Sequence, residues 1–122
     1  MEHSGLTHRN CVVEKSRGTG TLEGLVGWTY GDRGRGIVNI YLDSRPNSGC
    51  TSLRIRYEGT VRSEPNRVYT ACKGANKNVA EELNTQYLPY GEGRFIVDWC
   101  DGVKGSLVRC IPVWSQRVDE TR

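Results

Sequence analysis

The cysteines of this chain are the residues best placed to do chemistry, and their spacing indicates which kind. The stretch DWCDGVKGSLVRC holds Cys100 and Cys110, and the DGVKG between them has the aspartate and glycines of a tight turn. Such a pair is open to three interpretations: a structural disulfide, half of a metal site, or a redox pair. Zinc and redox sites prefer cysteines about two to four residues apart, and the chain contains no C-x-x-C. The spacing therefore favours a disulfide.

The hydrophobic pattern around these two cysteines supports the same pairing. If Cys100 faces Cys110 across a hairpin, a set of apolar residues lies on a single face of that hairpin. Its members are Phe95, Val97, Trp99, Ile111 and Val113. A slip of one residue would scatter this set, so the register is predicted together with the disulfide. The same register turns Trp114, opposite Ile96, toward the outer face.

A second disulfide is predicted between Cys50 and Cys72. Cys50 precedes the strand pattern TSLRIRYEG, and Cys72 ends RVYTAC, the expected hairpin partner of that strand. Cys11 is then a free thiol, or it replaces one member of the pair by bonding to Cys50 or Cys72. Two disulfides indicate an oxidising compartment, so we expect a secreted protein. The N-terminal stretch MEHSGLTHRNCVVEKSRG lacks the apolar core of a signal peptide. If the protein is secreted, its signal was therefore removed and Met1 is an expression start. The alternative is an intracellular protein.

Other catalytic chemistry is poorly supported. His3 and His8, the only histidines, lie in a segment without periodicity, whereas Ser-His or Cys-His catalysis needs a rigidly held histidine. Asp98 and Asp101 lie beside a turn, where aspartate commonly caps backbone groups. GDRGRG lacks the spacing of a phosphate-binding loop, and no helix follows it. We expect no enzyme, no metal and no cofactor.

Strand patterns account for most of the chain beyond the N-terminal segment. Hydrophobic residues make up 36% of the sequence and glycine occurs 15 times, which is typical of short strands with one solvated face. The only helical candidate is GANKNVAEELNTQ, in which Val79 and Leu83 are four residues apart. Six or seven strands with frequent turns predict an antiparallel β-sandwich, immunoglobulin-like, with at most one short helix.

The charge pattern argues against nucleic acid and membrane partners. The net charge of +3 is a mild excess, typical of a solvated surface. Arg54 and Arg56 alternate with apolar residues in TSLRIRYEG, which indicates the polar face of an antiparallel strand. No run approaches the ~18 apolar residues of a membrane span.

Three stretches together carry a resemblance: GIVNIYLDSRPNSGCTSLRIRYEG, the YTAC strand end and the FIVDWCDGVKGSLVRC hairpin. They resemble small secreted β-sandwich proteins of filamentous actinobacteria, in which a cysteine-flanked hairpin closes a domain of about this size. The resemblance spans residues 20–115 and extends to the adaptor subunit of umbrella toxin particles, which links a lectin subunit to a large scaffold subunit. It implies a secreted adaptor whose docking peptide precedes Gly20, and no functional residue carries over.

The chain is divided into a flexible arm (residues 1–19), a sandwich domain (residues 20–118) and a C-terminal tail (residues 119–122). The arm has too little apolar surface to order itself. Against a partner it would add a strand or lie in a groove, with Val12 and Val13 as anchors and Arg17 as a charged contact. The alternative is a frayed or vector-derived terminus.

A second candidate surface comprises three aromatic residues, Tyr87, Tyr90 and Trp114, whose burial the pattern does not explain. The two surfaces together predict a non-catalytic protein that binds a protein partner, and the resemblance implies that it acts as an adaptor within a secreted toxin complex. A carbohydrate-binding module is one alternative. A small secreted hydrolase or nuclease, using carboxylates with Arg54 or Arg56, is the other.

Overall fold

A computed structural model of the chain describes residues 8–29, 35–58, 66–84 and 94–117. These residues form eight β-strands: β1 (His8–Arg17), β2 (Gly20–Thr29), β3 (Arg35–Ser44), β4 (Cys50–Glu58), β5 (Arg67–Cys72), β6 (Asn76–Asn84), β7 (Arg94–Asp101) and β8 (Val108–Arg117). All pairings are antiparallel, in two four-stranded sheets. Sheet A has the order β1-β2-β3-β6 and sheet B the order β5-β4-β7-β8. The predicted antiparallel sandwich is confirmed, with eight strands in place of six or seven.

One hydrophobic core lies between the two sheets, because alternate side chains of each strand point inward. Sheet A contributes Cys11, Val13, Leu22, Val26, Val38, Ile40, Leu42, Val79 and Leu83. Sheet B contributes Leu53, Ile55, Tyr57, Ala71, Phe95, Val97, Trp99, Val113 and Trp114. The strand order differs from that of immunoglobulin constant domains, whose second and third strands lie in opposite sheets. Within the four described segments, no helix is long and apolar enough to cross a membrane.

The structure corrects the prediction of a flexible arm for residues 8–19. Strand β1 pairs along its whole length with β2, and the chain reverses through Gly18 and Thr19. Cys11 and Val13 are buried in the core. The sequence pattern did not predict this strand because β1 has few apolar residues of its own. Its order comes from the ladder with β2. Residues 1–7 and the tail, residues 119–122, lie outside the described residues.

The helical interpretation of GANKNVAEELNTQ is wrong. Residues 76–84 form β6, which pairs with β3 at the edge of sheet A. A spacing of four places Val79 and Leu83 on one side of a helix, but also on one face of a strand. The preceding turn carries positive φ angles at Lys73 and Gly74 (51° and 88°), as a type I′ turn requires. This turn takes the chain from sheet B to sheet A.

Both predicted disulfides are confirmed. Cys50 on β4 lies directly opposite Cys72 on β5, with Cα atoms 4.1 Å apart. Cys100 and Cys110 join β7 to β8, with Cα atoms 4.0 Å apart. Cys11 belongs to neither disulfide and is buried.

The outward orientation predicted for Trp114 is wrong. The expected register holds where Trp99 pairs with Ile111, but a β-bulge shifts it by one residue, so that Val97 pairs with Trp114. A bulge sets two residues of one strand against one of its partner. Val113 and Trp114 are consequently both buried, each with 4% of its surface exposed. Trp114 is a core residue.

Candidate functional site

The outer face of sheet A carries four large, exposed hydrophobic side chains, which we call the apolar patch. They are Val12 (63% exposed), Leu25 (48%), Ile37 (46%) and Tyr41 (39%). Each lies at a strand position that points away from the core, since at least one neighbour along its strand is a buried core residue. A β-sandwich of this size normally covers its outer faces with polar residues, so a patch of this kind needs an explanation.

The strand register makes the apolar patch contiguous, with Leu25 at its centre. Val12 on β1 lies directly opposite Leu25 on β2, a position at which the two Cβ atoms are about 5 Å apart. Because Leu25 pairs with Asn39 on β3, Ile37 and Tyr41 are its two diagonal neighbours, at about 7 Å. All three strands therefore contribute to one surface.

Two local features hold β2 in this position between its neighbours. The two-residue turn at Gly18 and Thr19 closes the β1–β2 hairpin, and the Thr19 carbonyl accepts a hydrogen bond of 3.0 Å from the Arg45 amide. Gly24, with φ of 156°, lies where a Cβ atom would collide with the Asn39 carbonyl oxygen. The close approach of β2 to β3 therefore depends on a glycine beside Leu25.

Three carboxylates lie beside the apolar patch on the same face; we call them the acidic rim. They are Glu14, Glu23 and Asp43, all exposed. Glu14 and Glu23 are directly opposite each other on β1 and β2, and Glu23 is opposite Tyr41. Among the outward-pointing side chains that the structure describes on sheet A, none is lysine or arginine. The described part of the face is therefore apolar at its centre and negative beside it.

An open depression lies beside the paired carboxylates of the rim. It measures about 330 Å³ and is lined by Glu14, Lys15, Ser16, Thr21, Leu22 and Glu23. Lys15 belongs to the opposite side of β1 and reaches the depression from its edge. The two glutamates leave the lining with a net negative charge.

The outer face of sheet B is organised differently, around a buried carboxylate. Asp98 is 2% exposed, and its Oδ2 accepts hydrogen bonds from Arg54 Nη2 at 2.9 Å and Arg56 Nε at 2.6 Å. Arg56 also donates to Glu58 at 2.8 Å. The hydrogen bond to Asp98 is the largest influence on the pKa of Arg56 and raises it, against the opposing effect of burial, and Glu58 adds to the rise. These arginines bind the chain's own carboxylates.

The interpretation of Asp98 as a turn residue is thus wrong. Asp98 lies inside β7, opposite Arg54 on β4. Since a buried charge is stable only when paired, the two arginines explain its burial. A second concavity, of about 300 Å³, lies beside this cluster and is lined by Arg54, Asn66, Val68, Lys104, Gly105 and Leu107.

Arg17, a predicted binding residue, makes its contacts within the molecule. Its guanidinium donates to the carbonyls of Trp99 (3.0 Å) and Arg109 (2.8 Å) and lies 4.9 Å from the Trp99 ring centroid. Its Nε is 3.4 Å from a carboxylate oxygen of Asp101. Arg17 thereby connects β1 of sheet A to β7 and β8 of sheet B, which gives it a stabilising role.

Asp101 is the centre of this connection. Its carboxylate accepts hydrogen bonds of 2.6 Å from Thr19 Oγ1 and from Arg109 Nε. Burial alone would raise the pKa of Asp101, but these hydrogen bonds, with the charges of Arg17 and Arg109, outweigh it and hold the pKa below its ordinary value. Asp101 is consequently ionised at neutral pH, and its contacts with Thr19 and Arg109 stabilise one end of the sandwich.

The residues predicted to bind a partner are only partly brought together. Val12 lies in the apolar patch, whereas Val13 and Trp114 belong to the core and Arg17 is engaged internally. Tyr87 and Tyr90 lie outside the described residues. Sequence reasoning missed Leu25, Ile37 and Tyr41 as surface residues; the signal was their opposite parity to the buried residues of β2 and β3.

The described residues offer little for catalysis or metal binding. No three histidine, cysteine, aspartate or glutamate side chains within residues 8–29, 35–58, 66–84 and 94–117 are grouped to hold a metal ion. Asp98 and Asp101 are bonded to arginines, and Glu14 and Glu23 are exposed on an open surface. Comparison of the chain with protein-family models, with curated proteins and with solved structures found no match.

Proposed function

We propose that this protein is a secreted, non-catalytic binding module that docks onto a protein partner through the outer face of sheet A. The observation that carries the proposal is the apolar patch centred on Leu25, with its acidic rim. An apolar centre surrounded by polar groups is the usual composition of a protein–protein interface. The two disulfides support secretion, because such bonds persist in oxidising compartments.

This proposal moves the interface from a flexible arm to a formed sheet. Strand β1 contributes Val12 and Glu14 to the face, so the N-terminal segment takes part as a strand of the module. A role as adaptor within a secreted toxin complex is the finer form of the proposal. It rests on the resemblance to the actinobacterial β-sandwich proteins.

Carbohydrate binding is the weaker candidate. Sugar sites commonly stack the ring on aromatic side chains, and Tyr41 is the one aromatic side chain described on this face. Val12, Leu25 and Ile37 offer aliphatic contact, which suits a protein surface better than a polar sugar. A glycan array on the purified protein tests this alternative directly.

The proposal is tested by a matched pair of substitutions. Leu25→Thr removes the centre of the patch, and Val108→Thr alters an equally exposed hydrophobic residue (48%) on the edge strand of sheet B. Threonine keeps the strand propensity of both positions. Purified wild-type and variant proteins are used to capture partners from the culture medium of the source organism, followed by mass spectrometry.

We expect the Leu25→Thr variant to lose a partner that wild type and Val108→Thr both retain. Thermal melts of the three proteins should agree, because both positions are exposed. Equal capture by all three proteins would contradict the proposed face.

A further inference from the structure

We infer that the partner presents a basic surface, with lysine or arginine side chains placed among apolar residues. This inference rests on the proposed function and specifies the chemistry that the outer face of sheet A recognises. It is carried by three observations: the charge of the face, the opposition of two glutamates within it, and the state of the arginines on sheet B.

The first observation is that the charge of the face is opposite to that of the chain. The chain has a net charge of +3, yet the acidic rim holds three carboxylates, and no outward position of sheet A within residues 11–27, 36–44 and 76–83 is lysine or arginine. Proteins arrange complementary potentials across their interfaces. A negative rim around an apolar centre therefore selects a partner with positive charge around its own apolar residues.

The second observation is the direct pairing of Glu14 with Glu23. Like charges at directly opposite positions of neighbouring strands destabilise the pair. A lysine or arginine of the partner, seated between them, would turn this repulsion into two attractive contacts. The depression of about 330 Å³ at this point is large enough for such a side chain. Lys15 also lines this depression, but its one positive charge does not offset the two negative charges of the glutamates.

The third observation argues against a second copy of this chain as the occupant. Two copies related by a two-fold axis through this face would set one acidic rim against the other. Docking of the face onto the Arg54–Arg56 cluster on sheet B of another copy would require free arginines there. Arg54 and Arg56 are already bonded to Asp98 and Glu58. These charges favour a different protein as the occupant.

The experiment is a selection from a random displayed-peptide library on the purified full chain. Selected peptides are synthesised, and their affinities for wild type and variants are measured by fluorescence anisotropy. The variants are Leu25→Thr in the patch, Glu14→Gln with Glu23→Gln in the rim, and Glu58→Gln on sheet B as the charge control. Each measurement is made at about 50 mM and about 500 mM salt.

The selected peptides should be enriched in lysine and arginine together with apolar residues. Their affinity should fall at least about tenfold in the double Glu→Gln variant and in Leu25→Thr, fall with salt, and stay unchanged in Glu58→Gln.

Two contrary results separate the inference from the proposed function. Peptides that depend on Leu25 but are neutral or acidic, and are insensitive to the Glu→Gln changes, would overturn the inference and leave the proposed function standing. Peptides insensitive to Leu25→Thr, or no binders at all, would overturn both. Self-association in sedimentation velocity that Leu25→Thr abolishes would show that the occupant is a second copy.

Discussion

Asp98 is a charged residue in an almost fully buried position, held between Arg54 and Arg56 on the outer face of sheet B. Asp98→Ala would leave two half-buried guanidinium groups without their shared acceptor. We expect a loss of about 3 kcal/mol in the free energy of unfolding, measured by urea denaturation. Glu58→Ala removes an exposed carboxylate that is paired with Arg56, and should cost less than about 1 kcal/mol. Equal losses in the two variants would contradict this account.

Asp101 makes the stability of the sandwich sensitive to acid. The pKa of Asp101 is lower in the folded protein than its ordinary value of 3.8. Its contribution is therefore fully present above that value and is lost as pH falls toward the folded pKa. We expect the free energy of unfolding of wild type to fall more steeply below about pH 5 than that of Asp101→Asn.

The Asp101→Asn variant should also be less stable at neutral pH, because it loses the charge that Arg17 and Arg109 face. Chemical denaturation at a series of pH values measures both effects. Asp43→Asn, at an exposed position, is the control and should follow wild type. Parallel curves for wild type and Asp101→Asn would show that Asp101 does not cause the acid sensitivity.

At the scale of strands, the local sequence pattern was sufficient to predict those strands whose own residues alternate between apolar and polar. TSLRIRYEG, RVYTAC and the two strands joined by the cysteine-flanked hairpin were predicted in place, together with both disulfides. Strand β1 was not, because its order depends on ten paired positions in β2. Strand β6 was mistaken for a helix, because a spacing of four suits both structures. The bulge at Val113 has no signal in composition and changed the side to which Trp114 points.

Adjacent valines on β1 test whether this strand is part of the folded domain. Val13 is buried in the core and Val12 is exposed in the apolar patch. We expect Val13→Ala to lower the free energy of unfolding by about 2 kcal/mol, since it removes buried methyl groups and leaves a cavity. Val12→Ala should change it by less than about 0.5 kcal/mol. Denaturant titration measures both, and a mobile arm would instead give two small, equal changes.

At the scale of the whole molecule, the candidate binding face could not be predicted from single segments. Val12, Leu25 and Tyr41 come from three strands, and their contiguity exists only in the register of sheet A. The same holds for Glu14 and Glu23, which are nine positions apart in sequence and directly opposite in the sheet. The aromatic surface predicted from Tyr87, Tyr90 and Trp114 relied on residues whose burial was unexplained, and Trp114 proved to be core. The fold class could therefore be predicted from the sequence, whereas the candidate binding face depends on how the strands pair.

Both disulfides lie in sheet B, yet they should stabilise the entire sandwich, because the two sheets share one core. Their sequence separations are 22 and 10 residues. The chain-entropy model then assigns each about 3 kcal/mol, with a difference under about 1 kcal/mol because the dependence on loop length is logarithmic. Together they approach the total stability of a typical small domain, about 5–15 kcal/mol.

Complete reduction should therefore lower the Tm by well over 10 °C, on the basis of about 4 °C or more for each kcal/mol. Calorimetry with and without a phosphine reductant measures the change. Replacing Cys50 and Cys72 by alanine, or Cys100 and Cys110, should each give roughly half of the effect. A single cooperative transition is expected in every case, since sheet A has no separate core to retain its structure. An unchanged Tm after full reduction would show that core packing alone sustains the fold.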